Sequence, residues 1–132
     1  MLLPRTRTET EFVEVVRLTA PGHLTPKGLS GDTVDIWVEH EARQALELIA
    51  ALPPGEQHRC FVPGWGIRAH GPTDPLFEIA FCFRCHGARL WGPDVPPALR
   101  GQPFDADSPA AHELLRRFRA RLPPEPAAAP PG

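Results

Sequence analysis

Thr33 to Glu39 carries the cleanest alternation of apolar and polar positions in the chain. Val34, Ile36 and Val38 point to one side and Asp35, Trp37 and Glu39 to the other, which is the period of a β-strand. Upstream, Glu11 to Thr19 is rich in β-branched residues and also reads as a strand. Phe12, Val16 and Leu18 share one parity, and Val13 and Val15 the other, so both faces are partly covered. Between them, Ala20 to Gly31 holds Pro21-Gly22, Pro26 and Gly28 and reads as a loop.

The period then changes. Ala42, Ala45, Leu46 and Ile49 recur at helical spacing from about Glu41 to Leu52, with Arg43 and Glu47 off that stripe. Pro53-Pro54-Gly55 ends the helix, because proline cannot continue it and restricts the residue before it. A run of short strands follows: Arg59 to Val62, Gly66 to His70, Leu76 to Phe83 and Ala88 to Trp91. No crossover helix separates them, so neighbours are antiparallel. Gly92 to Ala106 is a Pro-rich loop. Ser108 suits an N-cap and Pro109 the first helical position of a last helix. Ala111, Leu114, Leu115, Phe118 and Leu122 form its stripe, and Pro123-Pro124 stops it.

The predicted order is ββαββββα. It defines an α+β fold: a twisted antiparallel sheet of about five to six short strands with two helices packed on it. Residues 1–10 are polar and expected to fray. Residues 11–122 form a single domain, and the Pro/Ala-rich stretch 123–132 is expected to be disordered. At 132 residues the chain is long enough for one modest core.

Composition acts mainly by exclusion. A net charge of −2 creates no global field toward nucleic acid or an anionic membrane. No apolar run approaches the ~18 residues of a transmembrane helix. Met1 to Glu9 lacks the apolar core of a signal peptide, which points to a reducing, cytoplasmic setting. Lys27 is the only lysine among many arginines, and Ala and Pro are abundant, a bias of GC-rich bacterial coding. Arg116, Arg117, Arg119 and Arg121 sit near the end of the last helix, where they favour its dipole. Asp35, Trp37 and Glu39 share a strand face that is solvated by default and acidic enough to meet a partner.

Candidate chemistry is confined to His58–Trp91, which contains all three cysteines. In a reducing setting an odd number of cysteines reads as free thiols or metal ligands, not as a disulfide framework. Cys82 and Cys85 have C-x-x-C spacing between strands, so a knuckle there can grip Zn²⁺ with two thiolates. Cys60 offers a third ligand. His58 shares a strand face with Cys60 and offers the fourth, with His86 as its substitute. Such a zinc is structural, since four ligands leave no open position. The bland alternative is three cysteines packed as small apolar residues.

Other cysteine chemistry fits less well. Dithiol redox needs C-x-x-C at a helix N-terminus, and Gly87 and Gly92-Pro93 leave no room for a helix. Cys82-Phe83-Arg84-Cys85-His86 matches the haem-attachment signature, but that attachment belongs outside the cytoplasm and Met1 is the only methionine. Cys60 with His70 or His86 lacks an orienting third residue. Two binding residues stand out nearby. Arg68 is either an anion clamp or a paired arginine. Trp65, after Pro63-Gly64, is either an exposed binding residue or a cap on the core.

Cys60-Phe61-Val62-Pro63-Gly64-Trp65-Gly66-Ile67-Arg68, followed by Cys82-Phe83-Arg84-Cys85, resembles a loose group of small uncharacterised bacterial proteins. Those proteins have a C-F-x-P-x-x-G-I-R segment and then a C-F-x-C strand, between an upstream and a C-terminal helix. The resemblance covers roughly residues 58–91. It implies the fold and no activity. In the group, the residue before Gly-Ile-Arg is often His, where this chain has Trp65.

The expectation is a small non-enzymatic protein that binds another protein, immunity- or adaptor-like, with a buried cysteine cluster holding a structural zinc. The alternative is a thiol-redox or metal-dependent enzyme or sensor that uses Cys82 and Cys85.

Overall fold

A computed structural model of the chain describes residues 1–59 and 61–120. Cys60 and residues 121–132 lie outside it, and with them the expected tail and Leu122. The elements are β1 (Phe12–Arg17), β2 (Leu24–Thr25), β3 (Gly28–Leu29), β4 (Asp32–Val38), α1 (Glu39–Ala50), β5 (Trp65–His70), β6 (Pro75–Cys82), β7 (Gly87–Trp91), β8 (Gly101–Pro103) and α2 (Pro109–Arg119). Six strands form one antiparallel sheet in the order β4-β1-β5-β6-β7-β8. Both helices pack on one of its faces, so the α+β class read from the sequence holds.

The helix-covered face is the main core. Val13, Val15, Ile67, Ile79 and Phe81 from the sheet meet Ala45 and Ile49 of α1 and Leu114 and Phe118 of α2. Each fully buried large apolar side chain here contributes roughly 1.5–3 kcal/mol. Phe118 is the hub, ringed by Trp37, Trp65, Phe81 and Phe83 at centroid distances of 5.5–6.3 Å.

The open face carries the β2–β3 hairpin, which pairs only with itself. Val16, Leu18, Leu29 and Ala80 form a second small core beneath it. Gly66 permits the contact: a Cβ there would meet Leu29 Cδ1 at 2.4 Å and Ile79 O at 2.8 Å. Gly28 turns the hairpin at φ 139°, a conformation that suits only glycine, and any side chain would strike Glu78.

Three expectations change, and one open alternative is decided. Residues 59, 61 and 62 are in no strand, whereas β8 and the β2–β3 hairpin arise from stretches read as loops. The N-terminal residues, expected to fray, are held: the Met1 ammonium donates to Ala50 O and Leu52 O, at 3.2 and 2.6 Å. Leu2 exchanges two hydrogen bonds with the Gln102 side chain. The faces of β4 are the reverse of the solvated-acid reading. Trp37 lies opposite buried Val13, only 5% exposed, and stacks on Phe118. Ile36 and Val38 are instead 52% and 50% exposed. The indole fills the space under the helices, and Asp35 accepts its Nε1–H at 3.0 Å. Finally, Trp65 is a core residue, 2% exposed, with the Arg17 guanidinium 4.5 Å over its ring.

Candidate functional site

The turn between β6 and β7 gathers the chemistry-bearing residues. Cys82 pairs with Gly87, and the four residues between reverse the chain. His86 closes the turn at φ 54°, the left-handed region. Phe83 anchors it edge-on against Phe104 and Phe118. This brings the Cys82 and Cys85 Cα atoms to 5.2 Å, and their sulfurs are joined as a disulfide. The sequence predicted free thiols or metal ligands. The tight reversal supplies the proximity that spacing alone leaves open. Both cysteines are only 1% exposed.

One expected metal ligand, His58, comes to this turn from elsewhere and meets His86, which belongs to it. The His58 main-chain N–H donates to Cys85 O at 2.7 Å, and the His58 and His86 rings lie 5.0 Å apart. Cys60, the remaining expected ligand, lies outside the described residues. His86 has a different engagement. Its Nδ1 accepts the Ala106 N–H at 3.0 Å. A neutral imidazole has one lone pair, so His86 can ligate a metal only by giving up that bond. Of the two candidates for a fourth ligand, His58 keeps its ring lone pair available among the described residues.

Cys82 Sγ lies 3.3 Å from Val62 O. A disulfide sulfur has no proton to donate, so this contact is a hydrogen bond only in the dithiol form. Next to the turn, ligand atoms of His86, Asp105 and Asp107 lie within 4.8 Å of one another. Internal bonds already occupy this group, since Asp105 also accepts the Asp107 N–H at 2.9 Å.

Arg68 belongs to a separate network on the open face. Glu14, Arg68 and Glu78 are directly opposite one another on β1, β5 and β6. Arg68 donates from Nη1 to Glu14, from Nε to Glu78 and from Nη2 to Leu29 O, at 3.2, 3.1 and 2.7 Å. Each guanidinium nitrogen is therefore engaged within the protein, which is the paired reading of Arg68. His70 and Thr33 also bond to Glu14. Burial alone would raise the Glu14 pKa. The hydrogen bonds from Thr33 and His70, with the charge of Arg68, hold it below the ordinary value. Glu78 also accepts the Leu29 N–H at 3.0 Å, so this network latches the hairpin to the sheet.

The residues that remain available for contact are others. Ile36 and Val38 stand on the outermost strand, and the alternation was visible in sequence but not which side faces water. No helix is long and apolar enough to cross a membrane among the described residues. Fold and site together define an α+β protein with a cross-linked β-turn and a sheet edge, β4, that no other described strand covers on its outer side. No protein-family model, curated protein or solved structure matches the chain.

Proposed function

We propose that this chain is a non-enzymatic protein-binding module that takes an extended segment of another protein onto the outer edge of β4. The supporting observation is the edge itself. Among the described residues no strand pairs with it, and Ile36 and Val38 stand half exposed beside it. An unpaired edge offers a row of main-chain donors and acceptors, and alternate side chains supply selectivity. β4 contains neither lysine nor proline, the residues that commonly block such pairing. Asp32 in the strand, with Glu39 and Glu41 just beyond, makes the edge acidic. The complementary segment alternates apolar with basic residues.

A second copy of the chain is the competing occupant. Antiparallel pairing centred on Ile36 sets Val34 opposite Val38, which favours it. The same pairing gathers Asp32 and Glu39 of both copies along one seam, which opposes it. Linear peptides selected on the immobilised protein decide the matter. Bound peptides should protect β4 amides from hydrogen exchange. Ile36→Arg combined with Val38→Arg should weaken them about tenfold or more, as for interface hot spots, at unchanged melting temperature. Protection confined to other elements would sink the proposal. Dimers that the same substitutions dissolve would assign the edge to a second copy.

The cysteine turn serves this module as a structural centre. Zinc there needs thiolates, so a metal site and the Cys82–Cys85 disulfide are exclusive states of the same sulfurs. His58, brought to Cys85 by a main-chain bond, supports a set of His58, Cys60, Cys82 and Cys85. Metal analysis of the reduced chain should find about one zinc per molecule, with unfolding by chelator. A metal-free chain with a stable disulfide would leave the cross-link alone as the centre. Ready cycling between dithiol and disulfide would instead favour the thiol-redox alternative, despite the near-complete burial of both sulfurs.

A further inference from the structure

On the open face, away from the β4 edge, a groove of about 860 Å³ separates the tip of the β2–β3 hairpin from β7. Three stretches of the chain build it: the hairpin, β7 with the two residues after it, and Arg100. Lys27 sits at the hairpin tip. Arg89 and Trp91 are alternate residues of β7, paired with Ala80 and Glu78, and both project to the open side. Arg100 enters from the turn before β8, where its carbonyl accepts the Leu90 N–H at 2.9 Å. Thr25 lines it too, with its hydroxyl donating to Gly28 O and accepting the Lys27 N–H within the hairpin.

Among the described residues the lining contains three cations and no carboxylate. None of the three forms an ion pair among the described residues. The chain as a whole is acidic, so this concentration opposes its net charge. Glu78 lines the adjoining depression, and Arg68 and the Leu29 N–H already hold it. Arg89 is braced with its guanidinium 4.2 Å over the Phe61 ring. The Glu78–Leu29 bond latches the hairpin, which sets the Lys27 main chain across from β7. Unpaired cations in a concave wall focus positive potential into it. Guanidinium groups match phosphate oxygens with forked hydrogen bonds, and lysine adds a point charge. The volume is that of a small-molecule site.

We propose that this groove binds a small phosphorylated molecule carrying two or more negative charges. Lys27, Arg89 and Arg100 hold the phosphate, and Trp91 forms the wall beside it. This does not rest on the β4-edge proposal, because the two sites share no residue.

Titration of the full chain with pyrophosphate, ADP and adenosine, followed by calorimetry and tryptophan fluorescence, tests it. Trp37 and Trp65 are buried, so a fluorescence change reports chiefly on Trp91. Pyrophosphate and ADP should bind, more weakly as salt rises, and adenosine should not. ADP tighter than pyrophosphate would assign the ligand an organic moiety, and equal affinity the phosphate alone. Lys27→Ala and Arg100→Ala should each weaken binding about tenfold or more, the scale of a charge-assisted hydrogen bond. Arg116→Ala, on the exposed side of α2, should change nothing. Both variants alter exposed side chains, and unchanged melting curves will show that they fold. Failure of both anions to bind the wild-type chain would overturn the proposal. So would binding indifferent to Lys27 and Arg100, or an oligonucleotide that binds far more tightly than ADP.

Discussion

Glu14 shows how much one residue carries in this fold. It faces Arg68 across one strand pair and receives Thr33 from the other, while His70 bonds to its second oxygen. Its folded pKa is depressed, so its contribution is complete above the unfolded value. That contribution is lost as pH falls from about 4.3, the ordinary Glu value, through the folded one. Glu14→Gln should therefore cost about 1.5–3 kcal/mol near neutrality, the range for a hydrogen bond to a charged group. The cost should shrink on acidification. Urea unfolding across that pH range measures both effects, and a variant with the wild-type acid slope would show that the pairing adds nothing. None of this was legible in sequence. Glu14 and Arg68 are 54 positions apart, and their register depends on how β1 and β5 align.

Among the elements, α2 followed its sequence signals closely. Ser108 caps it by accepting the Ala111 N–H at 3.2 Å, and Pro109 takes the first turn as predicted. Glu113 pairs with Arg116 and Arg117 on the outer side, and those hydrogen bonds draw its pKa down to about 2. Ser108→Ala should cost about 1 kcal/mol, the usual value of an N-cap. Thermal unfolding checks this, and an unmoved melting temperature would show the cap idle. β4 teaches the opposite lesson. Its alternation was plain, but alternation has two solutions, and the polar count chose the wrong one. Trp37 outweighs Ile36 and Val38 because the helices offer its indole a large apolar space and Asp35 satisfies its nitrogen. The short strands β2, β3 and β8 left no periodic signal, since two or three residues are too few to alternate.

At the scale of the whole molecule, the sheet has two unlike faces. One is sealed by α1 and α2. The other is half covered by a small hairpin and leaves an acidic edge at β4 and a basic groove beside β7. The sequence by itself determined the class of fold, the two helices with their stripes, most strands of the sheet, and the segment holding the cysteines. These follow from local periodicity and from residues that stop or cap an element. Only the tertiary structure decided that Trp65 lies inside, that Arg68 is spent on internal pairing, and that the first residues are tied to α1. It alone also gathered Lys27, Arg89 and Arg100. Each of those outcomes depends on strand order and register, which join residues tens of positions apart, and a pattern read along one strand at a time carries no record of its neighbours.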